Sequence, residues 1–149
     1  MSGRIWINGS LQESAEARIS PFDHGWTVGN GVFETLIAYE GKVFAFKRHW
    51  ERLQHSAAVM GLPVEDEDAL REACQSVLIA NGLAAGRARV RITVTGGEAS
   101  LGSDRGEAPT TVVVAATAVD PPATSAEVVV VPYTRNATGA LAGVKATSY

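Results

Sequence analysis

Cysteine is nearly missing from this chain. Cys74, the single one among 149 residues, cannot close an internal disulfide, so a disulfide-stapled secreted fold is excluded. A basic excess is missing as well. Thirteen Lys and Arg against sixteen Asp and Glu give a net charge of −3, without the positive field that supplies non-specific nucleic-acid binding, and no nucleic-acid partner is expected. No apolar run approaches the roughly 20 residues of a membrane-spanning helix; the stretch 111–119 is about half that, so no membrane partner is expected. The opening Met1-Ser-Gly-Arg-Ile-Trp6 lacks the basic segment and apolar run of a secretory signal, which makes a cytoplasmic location the expectation.

Several chemistries are missing too. His24, His49 and His55 show no ligand spacing: two ligands on one helix face lie three or four residues apart, and His49 and His55 are separated by six. No metal site is expected. There is no Gly-x-Ser-x-Gly elbow, and Cys74 falls on an apolar helix face, where it is a small core residue rather than a nucleophile. Lysine chemistry remains.

What is present is ordinary globular material, 46% hydrophobic and 19% charged, enough for one domain and the beginning of another. Arg4-Ile-Trp-Ile7 alternates and ends in Asn8-Gly9, a dipeptide suited to a hairpin turn. Residues 22–31 carry Gly25, Gly29 and Gly31, a loop with unusual backbone demands but without dinucleotide spacing. No helix is expected to follow it. Instead two β-rich runs, 32–39 and 42–46, flank Glu40-Gly41. Phe46, Trp50, Leu53, Ala57 and Met60 mark one helical face, with Lys47, Arg48, Glu51, Arg52 and His55 on the other, mostly solvated. A second helix starts near Glu65-Asp-Glu-Asp68, buries Leu70, Cys74, Val77 and Leu78, and stops at Asn81-Gly82.

The run from Arg87 to Thr95 alternates strictly, placing Ala88, Val90, Ile92 and Val94 on one face and Arg87, Arg89 and Arg91 on the other, about 7 Å apart. The arginine row is either an exposed sheet face or the lining of a carboxylate pocket. Residues 110–119 are apolar on both faces, as in a fully covered central strand. Asp120-Pro-Pro-Ala-Thr-Ser125 suits a linker, and 127–131 a further strand. The expected architecture is α+β: a small two-layer domain at 1–120 with a largely antiparallel sheet and two helices, a linker at 121–126, and the beginning of a larger domain at 127–149. Lys145, in small and apolar surroundings, is by itself either a surface lysine or a functional one.

Five motifs in order decide between those readings. Trp6-x-Asn8-Gly9, Asp23-His24-Gly25, Gly29-x-Gly31-Val-Phe33-Glu34-Thr35, His49-x-x-Arg52-Leu53-x-x-Ser56-Ala57 and Leu141-Ala-Gly-Val-Lys145 together resemble the fold-type IV pyridoxal-phosphate enzymes. These include branched-chain and D-amino-acid aminotransferases and aminodeoxychorismate lyase. The resemblance implies pyridoxal 5'-phosphate as cofactor, with Lys145 forming the internal aldimine and then moving the proton at the substrate α-carbon. That chemistry needs an amine that can be neutral near pH 7.

By the same resemblance Arg52 contacts the cofactor phosphate, Tyr149 approaches its phenolic oxygen, and Phe33 either lines the substrate pocket or is an ordinary core residue. Arg91 matches a substrate-side arginine. Arg89 stands where branched-chain enzymes usually carry tyrosine, and Val28 where aminotransferases often carry an aromatic residue. The implied activity is amino-group transfer between an amino acid and a 2-oxo acid. The alternatives are an aminodeoxychorismate lyase releasing 4-aminobenzoate and pyruvate, or a non-catalytic domain of the same fold. The family works as homodimers and continues well past the lysine, so these 149 residues alone are expected to be inactive.

Overall fold

In the computed structural model, which describes residues 3–134 and 136–148, the first hairpin forms as its turn residues require. Strand β1 (Arg4–Ile7) returns as β2 (Ser10–Glu13) through Asn8 and Gly9 at φ 44° and 89°. The 22–31 loop contains one short helix, α1 (His24–Thr27), where none was expected. It exists because Asp23 caps it, accepting from the Gly25 N–H at 2.7 Å. The second Asp23 oxygen accepts from the Thr95 hydroxyl at 2.9 Å, which ties the loop to the sheet. Gly25 is required there because a Cβ would stand 2.3 Å from Thr95 Cγ2. The loop glycine serves close packing.

Strand β3 (Gly31–Tyr39) turns through Glu40 and Gly41, both at positive φ, into β4 (Lys42–Val43). The expected run to Phe46 is cut short. Ala45 adopts a left-handed φ of 50° and swings the chain into α2 (Phe46–Val59), which buries Phe46, Leu53, Ser56 and Ala57. Helix α3 (Glu67–Ala80) is capped by Asp66 through the Ala69 N–H and buries Leu70, Ala73, Cys74, Val77 and Leu78. Burial pushes the Cys74 thiol up to about 12, which suits a core residue and not a nucleophile. Strands β5 (Arg87–Thr95) and β6 (Thr111–Ala118) complete a six-stranded sheet in the order β2-β1-β6-β5-β3-β4. Every strand pair is antiparallel.

Helix α2 packs on β3, and α3 on β6 and β1. The core lies between them, built on Leu36, Leu53, Leu70, Leu78 and Ile92. This is the α+β architecture that the alternation and helical spacing predict. Two expectations fail. Strand β6 is central but covered on one face: Val112 and Val114 are buried, while Val113 and Ala115 are only partly so. Its apolar second face reflects small and β-branched residues, not a second layer of this chain. The strand expected at 127–131 does not form either, and Val128, Val129 and Val130 stand exposed. β-Propensity makes no strand without an edge to bond.

Among the described residues no helix is long and apolar enough to cross a membrane, and no group of His, Cys, Asp and Glu could hold a metal ion. Ile92, 1% exposed in the middle of β5, carries core packing alone. Replacing it by alanine is expected to cost about 2–5 kcal/mol, read as a lower urea midpoint with an unchanged slope.

Candidate functional site

Phe33 and Glu34 are neighbours on β3, so strand alternation sends them to opposite faces of the sheet. The face of Glu34 is the one under α2. Its carboxylate has no exposed surface, and three donors converge on it. Arg52 Nε donates to Oε1 at 2.5 Å and Nη2 to Oε2 at 2.6 Å, the two-pronged geometry of a guanidinium on a carboxylate. His49 Nδ1 lies 2.8 Å from Oε2 and donates in the tautomer protonated there. His49 and Arg52 are three residues apart, so both fall on the same face of α2.

Burial alone would raise the Glu34 carboxyl. The hydrogen bonds and charges of Arg52 and His49 outweigh it, and the group is held below the ordinary carboxylate range. The Arg52 guanidinium is correspondingly raised, chiefly by its bond to Glu34. Half of the Arg52 side chain, 52%, stays exposed. Glu34 therefore fixes the fork without enclosing it.

The face of Phe33 carries the second half. Strand β4 leaves the outer edge of β3 open at its N-terminal end, and the segment 145–147 occupies it. The Phe33 N–H donates to the Lys145 carbonyl at 3.0 Å, the Thr147 N–H donates to the Gly31 carbonyl at 2.8 Å, and Ala146 bridges Val32. Gly31 permits this approach: a Cβ there would lie 2.9 Å from Thr147 Oγ1. Alternation buries Val144 and Ala146 against the core and turns Lys145 to the other side. Its Nζ sits 4.4 Å from the centre of the Phe33 ring. The guanidinium carbon of Arg91 lies 3.8 Å from the same ring centre, so two cations address one aromatic side chain.

Of the residues singled out in the sequence, Lys145, Phe33 and Arg91 come together directly. Arg52 approaches from the α2 side and shares with Lys145 a cavity of about 560 Å³, lined also by Asn136 and the 141–144 segment. Arg89 is one step farther along the same face as Arg91, opposite Ile37 rather than Thr35, and exposed. Tyr149 lies outside the described residues. The sequence reading gave Glu34 and His49 no role. The signal was available in the series Val32, Glu34, Leu36, Ala38: a carboxylate on an otherwise apolar face demands a partner of opposite charge.

The lined cavity offers an amine and a guanidinium but, among the described residues, no acidic group. It suits a ligand that is anionic at one end and reactive toward an amine at the other. The comparisons with known proteins bear on that ligand. Residues 31–149 match the family model described as amino-transferase class IV. The chain is 38% identical over 101 residues to the aminodeoxychorismate lyase of Bacillus subtilis, covering 66% of this chain and 34% of the lyase. It is 39% identical over 59 residues to the D-alanine aminotransferase of Staphylococcus epidermidis, covering 40% and 21% respectively. It superposes on the branched-chain amino acid aminotransferase from Escherichia coli at TM-score 0.73 and 28% identity, covering 80% of this chain and 42% of that one. The matched region thus spans about a third or less of the first two relatives' length and two fifths of the solved structure's.

Removing the Glu34 charge as Glu34→Gln is expected to cost about 2 kcal/mol at neutral pH. That is less than the 3–5 kcal/mol of a wholly buried pair, because Arg52 is half solvated. A depressed carboxylate contributes stability above its unfolded value and loses it as pH falls through the lower folded value. The gap between wild type and Glu34→Gln should therefore be constant above about pH 5 and narrow below about pH 4. Urea midpoints measured from pH 7 to 3 check this.

Proposed function

The chain belongs to the amino-transferase class IV family, and from that premise we propose that it forms the lysine-bearing portion of a pyridoxal-phosphate-dependent aminotransferase. Such an enzyme moves an amino group between an amino acid and a 2-oxo acid. One observation carries the reading: the Lys145 amine and the Arg52 guanidinium line a single cavity. That donor set fits pyridoxal 5'-phosphate, which needs an amine for its aldehyde and a cation for its phosphate. When bound, the cofactor supplies a ring that takes up the electron pair released at the substrate α-carbon.

This chain's own residues would supply part of the site. Arg52, held by Glu34, offers the phosphate the part of its fork that the carboxylate leaves solvated. Lys145 would hold the cofactor through Nζ, and the same atom, when free as an amine, would take and return a proton at the substrate α-carbon. Phe33 gives the lysine an apolar neighbour that limits water at the amine. Arg91, with Arg89 beside it, attracts the substrate carboxylate toward the open sheet face. Tyr149 belongs to the same proposal as a contact to the cofactor's phenolic oxygen.

In the complete protein, 121–126 links the sheet domain to a second domain that starts near 127. The working form is a cytoplasmic homodimer. One observation favours a second reading. Arg89 and Arg91 place two cations on one face, which suits a substrate with more than one carboxylate, as in the aminodeoxychorismate lyase reaction that releases pyruvate.

Borohydride reduction of the complete, cofactor-saturated protein followed by peptide mass mapping tests the reading. A reduced cofactor adduct is expected on Lys145 and is expected to vanish in Lys145→Ala. An unmodified Lys145 would sink the aminotransferase and lyase readings alike, and pyruvate release without an acceptor 2-oxo acid would select the lyase.

A further inference from the structure

Helix α2 delivers a third polar side chain to this site. Ser56 has no exposed surface, and its Oγ accepts from the Lys145 N–H at 3.1 Å, a bond across 89 positions of sequence. The Lys145 peptide is thereby gripped on both sides, its carbonyl by the Phe33 N–H of β3 and its N–H by α2. Val144 and Ala146, on either side, are buried. The side chain of Lys145 projects from one of the most constrained backbone positions of the segment.

A serine in this place needs an explanation. Alanine is the better helix former, and a buried hydroxyl costs stability unless it is bonded. The bond to Lys145 supplies the reason. Ser56 also stands four residues, about one helical turn, after Arg52, so the two are separated by about 6 Å along a rigid rod. We infer that Ser56 is a positioning residue. It fixes the Lys145 backbone to the same helix that carries Arg52, so that one element sets the distance between the anion-binding fork and the reactive amine. The inference rests on the cofactor reading above and extends it to a residue that touches neither cofactor nor substrate.

The test uses the complete protein and two probes. Pyridoxal 5'-phosphate reports both phosphate binding and bonding to Lys145. 4'-Deoxypyridoxine 5'-phosphate keeps the phosphate but lacks the aldehyde, and reports phosphate binding alone. Ser56→Ala is expected to bind the deoxy probe as wild type does, while borohydride-trappable adduct at Lys145 forms about tenfold more slowly, the worth of one hydrogen bond. The pH midpoint of the visible absorbance of the bound cofactor should shift in the same variant, and Ser56→Thr should recover most of the wild-type rate.

Equal adduct rates in wild type and Ser56→Ala overturn the inference while leaving the cofactor reading intact. Equal losses for both probes also overturn it, since they mark a merely structural role. Wild type that binds the deoxy probe but forms no adduct at Lys145 overturns the cofactor reading, and the inference with it.

Discussion

A carboxylate enclosed in a two-layer core is untenable by itself, and most of the site follows from how this chain resolves that problem. Glu34 lies among Val32, Leu36 and the apolar face of α2, where an unpaired charge would have to neutralise or leave. The remedy comes from a neighbouring element rather than from water. His49 and Arg52 reach down from α2 and satisfy both oxygens. That requirement fixes the rotation of α2 about its axis. Leu53 and Ala57 then face the sheet, and Ser56 faces the segment that ends in Lys145. Ordinary apolar packing would tolerate a helix turned or slid by a few degrees; a two-pronged ion pair does not.

The second constraint is an edge. Three separate stretches build the site, around Phe33 on β3, around Arg52 on α2 and around Lys145, and backbone pairing, the Thr147 hydroxyl donating to the Gly31 carbonyl and the burial of Val144 and Ala146 hold the third against the first. Strand β3 is the natural meeting place because its two faces do different work. The dipeptide Phe33-Glu34 presents an aromatic ring to the cations Lys145 and Arg91 on one side and a carboxylate to Arg52 and His49 on the other. A one-residue slip of register would exchange the two faces and destroy both arrangements.

Much of this was legible in the sequence. The alternation of β5 gave its boundaries and its buried face, because every second residue from Ala88 to Val94 is apolar. The spacing of Phe46, Leu53 and Ala57 gave α2, and the acidic stretch before Leu70 gave the start of α3. The motifs name Lys145, Arg52 and Phe33 without saying how they meet. What escaped was long-range. The pairing of 145–147 with β3 and the bond from Lys145 to Ser56 depend on positions far apart in sequence, and no local period records them. Helix α1 escaped because a single turn capped by Asp23 has too few residues to show a period. The absent strand at 127–131 marks the opposite error, since valine-rich composition states a preference and not a partner.

Strand β4 has only two residues, and that brevity decides who may neighbour β3. A hairpin arm of ordinary length would continue down β3, saturate its outer hydrogen-bonding groups with local, quickly formed contacts, and yield a more complete sheet. It would also compete for the groups that now receive Lys145. Ala45, in a left-handed conformation that disfavours any side chain by roughly 1–2 kcal/mol, turns the chain away before that competition begins. The free edge beside β3 is therefore maintained at a local conformational cost, and Lys145 is seated by a contact that the nearest part of the chain has been prevented from making.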